Sequence, residues 1–244
     1  MNPKASHVII LGCGRSGTSI FGELFQNVST YTYLSEPLYD ELLKLDNSKP
    51  IAVKVPRESP DYPPDSGLSF PLNQYLKTLS GSKTIFWQIR HPLDTICSLK
   101  IGISKNWGHH PRPADWKEWL AKPLIIQCAH HWNYINTVSF NQVKDKAIIT
   151  RFEELIFDPL NFAENIFNNL GIDMETNRDV LEQWAKRVQN SNNKDFVDAL
   201  TSRAYSTQDH EVRVERWKEN LTKEELEQVK PIIKETALNF DYKI

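Results

Sequence analysis

The run "IILGCGRSGTSIFGELF" (9–25) nearly spells a nucleotide-binding phosphate loop and then departs from it. Gly12 and Gly17 stand in the G-x-x-x-x-G spacing and Ser19 follows on cue, but Thr18 occupies the place of the usual lysine. A cation is present inside the loop instead, at Arg15. Gly12, Gly14 and Gly17 let the backbone turn sharply, so that successive N–H groups converge on an anion at the start of a helix. The Arg15 guanidinium adds a planar fork of donors matched to phosphate or sulfate, and Thr18 and Ser19 add hydroxyls. A glycine turn with no ligand is the plain alternative. The apolar strand before the loop and the amphipathic stripe after it argue for the anion.

A phosphoryl-transfer enzyme needs more than this loop. It needs a lysine on the terminal phosphates and an acidic residue, after an apolar strand, to organise magnesium. Here the apolar runs lead into Gly12, Pro56, Arg90 and Arg151, none into an aspartate. A transferring phosphoryl group is heavily charged; a sulfuryl group carries about one negative charge less, so arginine, lysine and amide donors suffice. The missing metal equipment points to sulfuryl transfer without a metal. Lys54, near the end of an apolar strand, is costly to bury unless it faces the anion. There it would stabilise the bridging oxygen as sulfate leaves. Arg57 has a weaker claim of the same kind.

These residues require a scaffold. "HVIIL" (7–11), "IAVKV" (51–55), "TIFWQI" (84–89) and "AIIT" (147–150) are short apolar runs of the kind buried on both faces of a parallel sheet. Ile20, Phe21, Leu24 and Phe25 form a helical stripe after the loop, and "EPLYDELLKL" (36–45) reads as a second helix with Pro37 at its first position. Pro92 opens another helix; Asp158, Pro159 and Gly171 delimit one more; Thr222 with Glu225 forms a capping box on the last, with a kink expected at Pro231. Strands alternating with helices predict an α/β fold: a doubly wound, mostly parallel central sheet flanked by helices, with ligands at the C-terminal strand ends. Segments 56–67 and 102–119 read as loops over that edge. The 244 residues fit a single domain spanning 1–244.

Composition is that of a globular chain, 40% hydrophobic and 25% charged. A formal net charge of −2 gives no reason to expect nucleic acid as a partner, so any anion is held by local cations. Cys13, Cys97 and Cys128 are odd in number and widely spaced, which fits neither a disulfide framework nor a zinc site. The first apolar run is too short for a signal peptide or a membrane span, and a cytoplasmic setting is the expectation. His109, His110, His130 and His131 lack metal-ligand spacing and read as packing or surface residues, with His109 or His110 within reach of an acceptor.

Four separated segments, in order, resemble the PAPS-dependent sulfotransferases of P-loop type, most of all their carbohydrate and tyrosyl-protein branches. "GRSGTSIFGELF" with "YLSEPLY" resembles the R-S-G-[ST]-[ST] loop and the E-P pair that follows it. "IRHPLDTICS" (89–98) resembles the 3′-phosphate motif, an arginine closing a strand with a serine eight residues on. "ITRFEELIFDP" (149–159) resembles the family's RYEDL…DP stretch, and "VERWKENLT" (214–222) its late RWRENL segment.

The resemblance implies 3′-phosphoadenosine-5′-phosphosulfate (PAPS) as donor, adenosine 3′,5′-bisphosphate (PAP) as product, and no metal. Carried over residue by residue, it gives Gly14, Arg15 and the amides of Ser16, Gly17, Thr18 and Ser19 to the 5′-phosphosulfate. Arg90 and Ser98 would hold the 3′-phosphate, and Arg216, Trp217 and Lys218 would close over the nucleotide, with Arg213 as a further cation. Glu36, of the E-P pair, becomes the base that takes the acceptor's proton, with Arg15 and Lys54 as its charge-stabilising catalytic partners. Cytosolic members instead place a histidine shortly after the strand lysine. "VKVPRES" offers Lys54 and no histidine, and the loop cation is Arg15, so the two departures agree on Glu36.

The acceptor implied is a hydroxyl of a small molecule, lipid or saccharide. A P-loop kinase with a displaced cation, requiring ATP and magnesium, is the runner-up reading, and a degenerate nucleotide-binding module is a third. The joint presence of Arg15, Glu36, Arg90 and Ser98 disfavours the third.

Overall fold

The computed structural model describes residues 6–46, 48–55, 67–190 and 214–244. Arg57, Arg213 and nearly all of the segment 56–67 lie outside the described residues. Strand β1 (His7–Gly12) leads through the loop to α1 (Thr18–Gly22), extended by a 3-10 turn, Glu23–Phe25. Then come β2 (Thr32–Ser35), α2 (Tyr39–Leu43), β3 (Ile51–Lys54), α3 (Leu72–Thr78) and β4 (Lys83–Ile89). Helices α4 (Pro92–Ile103), α5 (Trp116–Trp119) and α6 (Leu124–Tyr134) follow, the last continued by a π-helical turn, Ile135–Ser139. The chain closes with β5 (Ala147–Arg151), α7 (Phe152–Phe157), α8 (Pro159–Leu170), α9 (Arg178–Asn190), α10 (Trp217–Asn220) and α11 (Lys223–Asn239).

The five strands form one parallel sheet in the order β2-β3-β1-β4-β5, with Ile9 opposite both Val53 and Ile85. Alternate side chains leave on opposite faces. Val8, Ile10, Ala52 and Phe86 pack under Phe21, Phe25 and helices α7 to α9. Ile9, Leu11, Val53, Ile85 and Trp87 pack under α3, α4, α6 and α11. With apolar neighbours on both sides, a strand has no polar face to alternate with, which is why its sequence is a continuous apolar run. From β1 the chain winds out to β2 and back to β3, then crosses to β4 and β5. The C-terminal end of β1 is therefore the switch point where such sheets bind ligands.

Strand β2 escapes the sequence reading because it is an edge strand with half-buried residues, so it shows Thr and Tyr rather than an apolar run. Helix α2 begins at Tyr39, not Pro37, and is short. Glu36 has a left-handed φ of 51°, which no helix accommodates, and the Leu38 N–H is taken by the Glu41 carboxylate at 2.9 Å. The caps behave as their residue types demand. Asp158 accepts from the Asn161 N–H at 3.1 Å, Gly171 ends α8 at φ 66°, and Thr222 and Glu225 cap each other. Pro231 lies inside one continuous α11. No helix among the described residues is long and apolar enough to cross a membrane.

Candidate active site

The loop is shaped by two close approaches. A Cβ on Gly12 would lie 2.3 Å from the Gln88 carbonyl oxygen, and one on Gly17, at φ 92°, would lie 2.3 Å from the Phe152 ring. Only glycine fits either position. Ser16 faces the sheet: its buried hydroxyl is shared between the carbonyls of Cys13 (2.6 Å) and Gln88 (3.0 Å), and its N–H also goes to Cys13. Ser16 thus spends both donors on the turn. The amides of Gly17, Thr18 and Ser19 head α1, where intrahelical acceptors run out. Gly14, Arg15, Thr18 and Ser19 line a cavity of about 640 Å³. Cys13 is buried, and desolvation pushes its thiol far up, which makes it packing material and not a nucleophile.

Arg90, immediately after β4, is 5% exposed. Its guanidinium lies 4.4 Å over the Phe152 ring, donates to the Arg15 carbonyl at 3.2 Å and stands 4.0 Å from the Asp94 carboxylate. Arg216 is buried nearby. Desolvation first, and then the Arg90 charge, lower the Arg15 pKa; the same two causes bring Arg216 down to about 10. Arg15 nonetheless remains exposed at the cavity mouth, so for a ligand the repulsion from Arg90 is the informative part. Three guanidiniums feel one another's charge, and a polyanion between them would relieve that cost.

Asp94, fully buried on α4, accepts from the N–H groups of Glu215 (2.8 Å) and Trp217 (3.0 Å) and so fastens α10 to α4. The Trp217 indole stacks on the His91 ring at 6.0 Å and 5°. Lys218 is exposed and paired with Glu215, and Ser98 is buried two turns into α4. Arg90, Ser98, Arg216, Trp217 and Lys218 do not line the main cavity. They sit on its α4–α10 side, joined to it through the Arg90–Arg15 contact.

Across the loop, Lys54 ends β3 as a buried residue whose Nζ pairs with Glu36 Oε1. The half-exposed Glu36 donates its N–H to the Lys54 carbonyl (2.8 Å), which carries the β2–β3 pairing one residue past the end of β2. Both side chains line the cavity. Arg15, Glu36 and Val55 all have left-handed φ values, 69°, 51° and 35°, and all three line it. Such conformations cost of order 1–3 kcal/mol each and gather where a site over-determines the backbone.

The far wall holds Leu38, Ser69 and Gly108, which the sequence reading passed over, with His109 and His110, which it placed within reach of an acceptor. The His109 ring lies against Gly14 and Gly102; desolvation first, then the Arg15 charge, bring its pKa down to about 4. His130 and His131 leave α6 on different sides, as adjacent helical residues must. His130 stacks on Trp119 at 3.7 Å and bonds Asp115, while His131 is wholly buried beside Trp107. Asp94 stands four residues after Arg90, in the first turn of α4, and carries no local signal of its downstream partners. Ser69 carries no local signal.

A family described as "Sulfotransferase domain" matches residues 5–241. Among solved structures, the sulfotransferase domain from the curacin biosynthetic pathway is similar at 13% identity over 99% of both chains, with a TM-score of 0.61. Mouse sulfotransferase SULT7A1, complexed with PAP, is similar at 17% identity over 98% of this chain and 87% of that one, TM-score 0.56. The sulfotransferase domain of the Synechococcus PCC 7002 olefin synthase is similar at 14% identity over 100% and 97%, TM-score 0.54. No curated protein sequence matches the chain. With the family match spanning nearly every residue, the chain belongs to the sulfotransferase family, enzymes that transfer a sulfuryl group.

Proposed function

We propose that the protein acts as one domain over 1–244 and transfers a sulfuryl group from PAPS to a hydroxyl of a small-molecule, lipid or saccharide acceptor, needing no metal. The convergence of Arg15, Arg90 and Arg216 beside a glycine-lined loop carries this reading. The residues fit a donor with two anionic ends. Arg15 with the amides of Gly17, Thr18 and Ser19 suits the phosphosulfate, and Arg90 with Ser98 and Arg216 suits the 3′-phosphate. Bound there, PAPS supplies the sulfuryl group, whose S–O bond to phosphate breaks as the acceptor oxygen bonds to sulfur. Arg15 holds the loop side, and Lys54 Nζ donates to the oxygen that gains charge. Glu36 takes the acceptor's proton on its carboxylate, and its pairing with Lys54 holds that carboxylate at the cavity wall. The PAP found in SULT7A1 supports the choice of donor.

PAP is expected to raise the melting temperature without magnesium, and clearly more than AMP does. Preferential stabilisation by magnesium ATP would overturn the reading in favour of a kinase.

Arg90→Ala is expected to weaken PAP binding about 30-fold, the scale of one lost charge-assisted contact of about 2 kcal/mol. AMP affinity should fall much less. Equal losses for the two nucleotides in a titration would mean that Arg90 acts by holding the Arg15 carbonyl and does not read the 3′-phosphate.

A further inference from the structure

Trp107 and His109, between α4 and α5, meet His131 of α6, and the three rings lie between the core and the cavity wall. Trp107, fully buried, donates its indole N–H to His131 Nδ1 at 3.0 Å. A neutral imidazole that accepts at Nδ1 carries its proton on Nε2. His131 is neutral: burial first, and then the neighbouring histidines, hold its pKa well below the ordinary range. Its Nε2 is buried with no hydrogen-bond partner, and a donor left so costs about 1–3 kcal/mol. The His109 ring stands 6.1 Å away, centre to centre, and its own Nε2 is also buried without a partner. A proton-bearing nitrogen and a second nitrogen thus lie unpaired in neighbouring buried rings. As they stand the two Nε2 atoms do not bond each other; a small turn of the His109 ring that closes the gap satisfies both, with His109 Nε2 as the acceptor. The His109 proton then sits on Nδ1.

The other nitrogen of the His109 ring, Nδ1, faces the cavity side. A Cβ on Gly14 would stand 3.3 Å from His109 Nδ1, which places the atom beside the phosphate loop, and His109 lines the cavity. The ring is seated by missing side chains. A Cβ on Gly102 would come within 2.1 Å of His109 Nε2. The loop is pinned as well, Gly108 N–H to the Gly102 carbonyl at 2.7 Å and Trp107 N–H to the Ile103 carbonyl at 3.0 Å. Arg15, Glu36 and His110 are the ionisable side chains whose charges reach His109 from the cavity, and His131 is the neighbouring ring behind it.

We propose that the Trp107–His131–His109 relay fixes His109 as a hydrogen-bond donor, through Nδ1–H, to the oxygens of the group transferred between the phosphate loop and Glu36. The identity of those oxygens rests on the sulfuryl-transfer reading; the tautomer does not. A neutral donor adds stabilisation without placing a second charge against Arg15. No proton leaves His109, and with its Nδ1 lone pair occupied by hydrogen it does not serve as the base.

The test has a spectroscopic and a kinetic arm. In the full chain labelled with nitrogen-15 histidine, long-range proton–nitrogen correlations at neutral pH are expected to show His131 as Nε2–H and His109 as Nδ1–H, the tautomer disfavoured in water. Trp107→Phe should release both to mixed states. If His109 in the wild-type protein is Nε2–H or imidazolium, the proposal is overturned whatever the activity. In the kinetic arm, with PAPS and an active hydroxyl acceptor, His109→Ala should lower kcat about 10²-fold. His109→Asn, whose amide N–H can stand near the lost Nδ1–H, should recover most of that loss. PAP affinity should stay near wild type in both variants. Equal losses in the two variants overturn the donor role. Failure of the wild-type chain to bind PAP defeats the functional reading instead, while the spectrum still decides the relay.

Discussion

Replacing Arg15 by alanine is expected to lower kcat about 10³-fold, the upper range for a lost transition-state donor, while leaving the empty protein at least as stable as wild type. The two halves of this expectation have one origin. Desolvation and the Arg90 charge lower the Arg15 pKa, so the fold disfavours the charged guanidinium relative to the unfolded chain. A base whose folded pKa lies below its unfolded value destabilises the fold at every pH where it is charged, and neutral pH is far inside that range. Deleting the charge removes a repulsion from Arg90 and leaves the residue-15 carbonyl, which Arg90 holds, in place. The same deletion removes the loop's own cation from the cavity mouth. Single-turnover kinetics beside a thermal melt of the empty protein would check both halves. A melt several degrees lower, with activity lost in proportion, would make Arg15 a brace of the loop and not a catalytic residue.

Glu36→Gln is expected to lower turnover by about 10²-fold or more, the usual scale for a lost general base, with PAP affinity near wild type. The amide keeps the shape of the carboxylate and an oxygen for Lys54 but cannot take a proton. The bland account of Glu36, a charge favouring a helix start, finds no support in the geometry. Helix α2 starts at Tyr39, Glu41 serves its first turn, and Glu36 stands outside it in a left-handed conformation. Its carboxylate is instead paired with a buried lysine on the cavity wall. Normal turnover in the Gln variant, with activity abolished by His109→Ala, would move the base elsewhere. A variant that loses its cooperative melt would show that the Glu36–Lys54 pair serves mainly to neutralise Lys54.

The parts of the site that were legible are those whose physics is local. The glycine spacing announces a sharp loop before a helix, and continuous apolar runs announce buried strands; the lysine ending such a run was read as facing the anion, and its Nζ pairs with Glu36 on the cavity wall. Strand β2 was not legible because an edge strand half in water lacks the apolar run. Ser16 was read as giving its amide to the anion, since spacing alone cannot say that this N–H turns back to the Cys13 carbonyl. Phe152 carries meaning only through residues far along the chain, filling the space above Gly17 and supporting Arg90. His109 was read only as a residue within reach of an acceptor, because what marks it further is the absence of side chains at Gly14 and Gly102.

Asp94 gives the assembly of this protein an order in time. Its carboxylate is fully buried and receives the N–H groups of Glu215 and Trp217, partners 121 and 123 residues downstream. As the chain leaves the ribosome, β1, the phosphate loop and β4 can meet once residue 89 has emerged. At that stage Asp94 has neither amide, and a carboxylate buried without them is strongly disfavoured. The first turn of α4 therefore stays open to water until residue 217 arrives, and contacts of such long range form late. The glycine loop is complete early and the α4–α10 contact closes last. A nascent chain stalled before Glu215 would carry the loop complete and the α4–α10 side of the cavity unassembled.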